Sequence, residues 1–384
     1  MSLSLPSRRW EIDALRGLML VLMMVTHLPT RLTAPMGQPL GFVSAAEGFV
    51  LLSAYMAGLV YGRLAWRRSE ADMRSAFVRR ALKLYGCQVA ALLFLFTVIA
   101  FIGMRLNQPA VTDLQAYYLQ EPASALVGAL LLIYQPPLLD ILPLYVLFML
   151  ASPWVIALAR RVGWLVVAGA SATVWLLTQF GLSLWLYEGA SALLPVAVPY
   201  RETGAFSIWA WQLLWVAGLW LGVSRQETVA RAPGFPPGVV PAAVIVALSC
   251  LIWRHVAGQV PFGTNEMLNL LFDKWQLGPL RLINLAALVV LAMHYGPALA
   301  RRLPRMHWLE TLGAASLTVF CAHLVLVLVL LGLLGADYER AWSADLLLLS
   351  ACLLVLYGVA RARLWIKRDG ALLSGLLMPR SLSS

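Results

Sequence analysis

Charge is scarce in this chain. Only 12% of its 384 residues are Asp, Glu, Lys or Arg, about half the fraction of a soluble globular domain, which argues against an ordinary water-soluble protein. Cysteine is scarce too. Cys87, Cys250, Cys321 and Cys352 all fall inside apolar runs, with neither a metal-ligand spacing nor an extracellular pairing pattern. They read as small core residues, and no bound metal is expected. Walker loops, Gly-x-Ser-x-Gly elbows and zinc signatures are missing, so ATPase, serine-hydrolase and zinc-enzyme readings have no support. No internal repeat is visible, and with it goes the repeat signature of many transporters.

What remains is mostly hydrocarbon. The chain is 61% hydrophobic with a mean hydropathy of +0.79 and carries 15 Trp, a residue suited to the two membrane interfaces. Ten apolar stretches are visible, near 14–30, 42–61, 84–104, 138–158, 163–181, 206–223, 237–255, 279–298, 310–334 and 343–362. Each is close to the roughly 20 residues that cross a bilayer as a helix. Residues 123–135 are too short to span. The expectation is an all-α polytopic membrane protein of about ten transmembrane helices. It forms one transmembrane domain over 1–384, with tails at 1–12 and 364–384 on the cytoplasmic side.

With the N-terminus inside, 22 of the 29 Lys and Arg fall on the inner side, which supports N-in and C-in. The net charge of +11 therefore reads as topology and contact with anionic lipid, not nucleic-acid binding. Arg16 interrupts the first apolar run and no Ala-x-Ala follows, so that run is expected to stay as a span and not be cleaved as a signal. The longest outer loops, 105–122, 182–205 and 256–278, carry Trp185, Tyr187, Tyr200 and Trp275. These aromatics suit sugar stacking or interfacial anchoring.

In the first stretch and just before it, Asp13, Arg16 and His27 are the ionisable residues of interest. Arg16 and His27 are eleven residues apart, so they return to one helix face about 16 Å apart along the axis. Asp13 is placed to pair with Arg16. An imidazole in an apolar span is a functional candidate by default. Glu47, at the start of the second stretch, is expected at the depth of His27. There it could orient the ring as a base for an alcohol, or cap its own helix. Asp140 lies at the outer edge of a span, either joining this polar group or acting as an N-cap. Arg281 could hold an anion or snorkel to lipid phosphate. On the inner side, Arg80 and Lys83 share a helix face and, with Arg16, are the best placed of the basic residues to hold phosphates. His323 is a second mid-span imidazole, read as a packing residue that merits testing. His255, His294 and His307 carry little signal.

At these residues the chain resembles a known family. Asp13-Ala-Leu-Arg16-Gly17 followed by His27, the stretch from Ser44-Ala-Ala-Glu47 to Gly62-Arg63, Leu142-Pro-Leu-Tyr145, Trp211-Gln-Leu-Leu, Leu277-Gly-Pro-Leu-Arg281 and Leu312-Gly-Ala-Ala-Ser316 occur in an order similar to the OpgC family of membrane acyltransferases, akin to the wider acyltransferase-3 group. The resemblance implies transfer of an acyl group, succinyl in the family's name-giving reaction, from cytoplasmic acyl-CoA to a hydroxyl of a periplasmic glucan or other glycan at a bacterial inner membrane. Acyl-CoA would be a co-substrate and no cofactor would be permanently bound. The wider group's catalytic arginine and histidine fall on Arg16 and His27.

Two positions depart from the pattern. Thr26 stands where an acid is expected before the histidine, which turns attention to Glu47 or Asp13 as its carboxylate. Ala54 replaces a glycine. The expected assignment is His27 as base with Glu47 and Asp13 in support. Arg16, Arg80 and Lys83 would hold acyl-CoA, and Asp140, Arg281 and Trp275 the acceptor. A proton-coupled transporter or flippase of a glycan or lipid, using His27, Glu47, Asp140 and His323 as a relay, is the rival reading. A structural subunit of a synthase is a third. A homo-oligomer is compatible with all three.

Overall fold

The computed structural model describes residues 9–193, 198–227, 234–336 and 340–377. Among them there is no strand, and the fold is all-α. The main helices are α1 (Trp10–His27), α2 (Ala45–Arg67), α3 (Glu70–Leu106), α4 (Pro122–Leu130), α5 (Ile141–Val162), α6 (Trp164–Thr178), α7 (Leu182–Ser191), α8 (Ile208–Glu227), α9 (Val239–Ala257), α10 (Pro279–Arg302), α11 (His307–Ala314), α12 (Ser316–Leu334) and α13 (Trp342–Leu377). Nine of the ten apolar stretches correspond to one of them each, the stretch at 310–334 to two, and α4 is the short segment at 123–135.

The protein is a multi-pass membrane protein, but ten spans are more than its helices support by length and composition. Among the described residues seven helices meet both requirements, or eight if α6 and α7, bent by 83° at Gly181, count as one. The shortfall has two physical causes. α1 packs Glu11, Asp13 and Arg16 into 18 residues, and the apolar part of α8, Ile208–Ser224, falls just short of spanning length. Helix also enters both stretches expected as tails. α1 begins at Trp10, inside the expected tail 1–12, and α13 continues to Leu377, through most of the expected tail 364–384.

Two close helix contacts hold the centre. α1 crosses α11 backbone to backbone. A methyl group on Gly17 would fall 2.0 Å from the Leu309 carbonyl oxygen, and one on Gly313 would fall 1.8 Å from that of Asp13. α2 and α8 meet the same way, with Gly222 against the Tyr55 carbonyl and Gly218 against the Ala54 side chain. This small-xxx-small spacing lets helices approach where lipid supplies no hydrophobic drive. Ala54 therefore packs into a gap that Gly218 leaves open. The start of α2 is set by Ser44, whose side chain accepts from the Ala46 amide while Glu47 accepts from the Ser44 amide at 3.1 Å. The expected single span at 310–334 is broken at Ala315 into α11 and α12.

Candidate active site

α1 runs between two cavities. Its Arg16 end opens on a cavity of about 350 Å³ whose charged lining is wholly basic: Arg16, Arg80, Lys83, Arg363 and Lys367. Arg16 is held in place by Asp13, 3.7 Å away, and by a hydrogen bond donated to the Ser316 hydroxyl. The expected pairing of Asp13 with Arg16 is present, so Asp13 sits at this end and not beside His27. The break at Ala315 makes the second contact possible, because it places Ser316 at the start of a new helix facing α1. Tyr145, buried, lines the same cavity.

The His27 end opens on a larger cavity of about 1080 Å³ with mixed charge, lined by His27, Arg31, Asp140, Arg201, Glu202 and Lys274 among others. Here loops do the building. The Trp275 carbonyl accepts from the Ser207 amide at 3.1 Å and from the Trp211 indole at 3.0 Å. Gln135 donates its amide to the Glu202 carbonyl at 2.9 Å. The segments around 135, 202 and 275 are thereby tied over the end of α1. Ile141 and Phe320 line both cavities, and Phe320 is backed by Phe49 at 6.1 Å between ring centroids.

Among the described residues, the side chain bonded to His27 is not a carboxylate. Nδ1 of His27 lies 2.9 Å from Nε2 of His323, which is fully buried in α12. Glu47 is engaged elsewhere. It accepts from Ser44 and forms a buried ion pair with Arg281, which also donates from Nε to the Phe272 carbonyl at 2.9 Å. Two residues expected in separate roles thus bind each other, Arg281 at the foot of α10 and Glu47 at the head of α2, and neither lines the outer cavity. The capping alternative for Glu47 is the one its contacts fit.

Asp140 does face the cavity. It makes no cap bond to its own helix and accepts from the Ala205 amide at 3.3 Å. Trp275 lines the cavity with the Lys274 ammonium 4.6 Å from its ring centre, so one face of the indole is taken by a cation. Burial lowers the Lys274 pKa, because the charged form is disfavoured away from water. Among the described residues no group of three His, Cys, Asp or Glu side chains is placed to hold a metal ion.

A family model described as OpgC protein matches residues 8–368, nearly the whole chain. The chain belongs to the OpgC family. At that level it is a membrane glucan-modifying acyltransferase. No curated protein and no solved structure matches it.

Several site residues of this OpgC-family protein went unread in its sequence. Lys367 falls in the stretch expected as tail and Arg363 just before it, but α13 carries both to the basic cavity. Their spacing of four residues, one helix turn, was the available signal. Lys274 was counted only as an outer cation. His323 was visible as a mid-span imidazole. Its partner was not, because that depends on how α12 packs against α1.

Proposed function

We propose that this protein is an O-acyltransferase that takes an acyl group from acyl-CoA on the cytoplasmic side and delivers it to a glycan hydroxyl outside. The basic cavity receives the CoA phosphates through Arg16, Arg80, Lys83, Arg363 and Lys367, since fixed cations suit phosphate groups. Its end of the bundle is cytoplasmic, in line with the distribution of Lys and Arg. The glycan enters the outer cavity, where Asp140, Lys274 and Trp275 offer an acceptor, a cation and an aromatic edge. The family resemblance points to succinyl as the acyl group, periplasmic glucan as acceptor and the bacterial inner membrane as location.

The observation that carries this reading is the placement of His27. It lines the outer cavity, and that cavity shares Ile141 and Phe320 with the basic one as a common wall. A pantetheine arm passing this wall brings its thioester to the imidazole. Nε2 of His27 takes the hydroxyl proton as the oxygen attacks the thioester carbonyl. The C–S bond breaks, and the departing thiolate takes the proton back from the imidazolium, leaving an ester and free CoA. A positioned histidine base is worth about 10²–10⁴-fold in rate.

Purified protein in proteoliposomes, given radiolabelled acyl-CoA and glucan, should release CoA and leave label esterified to glucan. A transporter or flippase would move its cargo with no covalent product, and that result would overturn the proposal. His27→Ala should lose the activity while remaining folded; native transfer by that variant removes His27 as the base.

A further inference from the structure

Among the described residues, no carboxylate of the kind that usually fixes a catalytic imidazole is bonded to His27. Glu47 is bound to Arg281 and Ser44, Asp13 is held at the other end of α1 by Arg16, and the position beside Nδ1 is filled by His323. The two ring planes lie within 25° of each other with centroids 5.0 Å apart. At a nitrogen separation of 2.9 Å, that spacing describes rings joined edge to edge in one hydrogen bond, not packed face to face.

We infer that His323 is a positioning residue that sets the tautomer of His27 and so makes its Nε2 a base. This rests on the reading of His27 as the base. The argument follows the protons. Two neutral imidazoles carry one N–H each, and only one proton can lie between them. The Phe320 carbonyl, one turn earlier in α12, acts on the His323 ring; with Nε2 taken up by His27, the nitrogen it can favour is Nδ1, which closes no other hydrogen bond. A carbonyl oxygen can only accept, so it favours a proton on that nitrogen. With its proton there, His323 presents a lone pair at Nε2. The bridging proton then belongs to Nδ1 of His27, and the lone pair of His27 falls on Nε2, the nitrogen left for the outer cavity. The opposite arrangement sets two lone pairs, of the Phe320 oxygen and His323 Nδ1, against each other in a buried site, and it protonates the nitrogen that must accept.

A neutral imidazole in this role also avoids burying a negative charge, whose desolvation is costly. Among the described residues, the Lys274 ammonium also acts on His27. It reaches the site from the loop before α10 and has no lone pair to offer while protonated.

The test uses the full-length protein in liposomes with His323→Gln and His323→Leu. Glutamine places an acceptor oxygen near the position of Nε2; leucine has none. The Leu variant should lose about 10²-fold in kcat with unchanged KM for acyl-CoA, while the Gln variant should stay within a few-fold of native. A purely structural role predicts the reverse order, since leucine suits an apolar span better than glutamine.

Native kcat in the Leu variant, or a Gln variant as slow as Leu, overturns the inference. Should the Leu variant fail to fold, ¹⁵N-histidine spectra of the native protein decide the matter. The resonances that vanish in His27→Ala should report an unprotonated Nε2, and a protonated Nε2 at neutral pH overturns it. An active His27→Ala would instead remove the reading on which the inference stands, so the two failures are distinguishable.

Discussion

The two ends of α1 are built by opposite means. The Arg16 end is made of helices, and all its charge is of one sign, from five basic side chains on α1, α3 and α13. Much of the His27 end is made of loops, and it mixes acids, bases and aromatics. Helices give fixed cations at fixed spacing, which suits one constant charged ligand. Loops give varied hydrogen-bonding groups, which suits a sugar polymer with many orientations. The contrast supports placing the invariant part of the reaction, the donor, at the helical end and the variable part, the acceptor, at the loop end.

That division can be broken at several points. The largest effect belongs to the chemistry itself: His27→Ala should lower kcat by about 10²–10⁴-fold, measured as ester formed per folded protein, with donor KM little changed. Next, Glu47→Gln should cost about 3–5 kcal/mol of stability, because it leaves the Arg281 guanidinium buried without its counter-charge. A thermal shift in detergent reads this, and the surviving folded fraction should turn over within a few-fold of native. A kcat loss as large as that of His27→Ala in folded Glu47→Gln would return the carboxylate to the catalytic role expected of it. Arg80→Ala and Lys83→Ala should each raise the KM for acyl-CoA about tenfold, the worth of one partly screened charged hydrogen bond. The acceptor KM should not move; a change in it would mean the two ends are not separate.

The smallest effect is expected at Lys274. Its buried ammonium is lost at a lower pH than that of an exposed lysine, so acceptor affinity should fall early as pH rises. Lys274→Met should remove that alkaline limb and weaken acceptor binding a few-fold at neutral pH. An unchanged pH profile would take Lys274 out of the acceptor site.

Much of this was legible before folding. The all-α membrane class and the helix positions follow from apolar runs, and Arg16, Arg80 and Lys83 follow from their place at the inner boundary of those runs. The Ser44-x-x-Glu47 spacing is itself a capping-box signature, and it competes with the catalytic role expected of Glu47. The Glu47–Arg281 pair was not legible. The two residues are 234 apart in sequence, and only the approach of α2 to α10 joins them. The same holds for His27 and His323, where a broken helix at Ala315 and the glycine contact of α1 with α11 fix a distance that no local pattern encodes. Lys367 was hidden for a different reason: a helix that overruns the bilayer cannot be told from a charged tail by composition.

The shared wall of Ile141 and Phe320 has a bioenergetic consequence. On the proposed orientation it lies between a cavity on the cytoplasmic side and one on the outer side, at different electrical potential, and about 2.3 kcal/mol per 100 mV drives each elementary charge across. A protein that hands an acyl chain through such a point must block hydronium leakage while it does so, as ion-tight carriers must. Two apolar side chains with no titratable atom are well suited to that duty, because a file of water cannot be held together where nothing hydrogen-bonds to it.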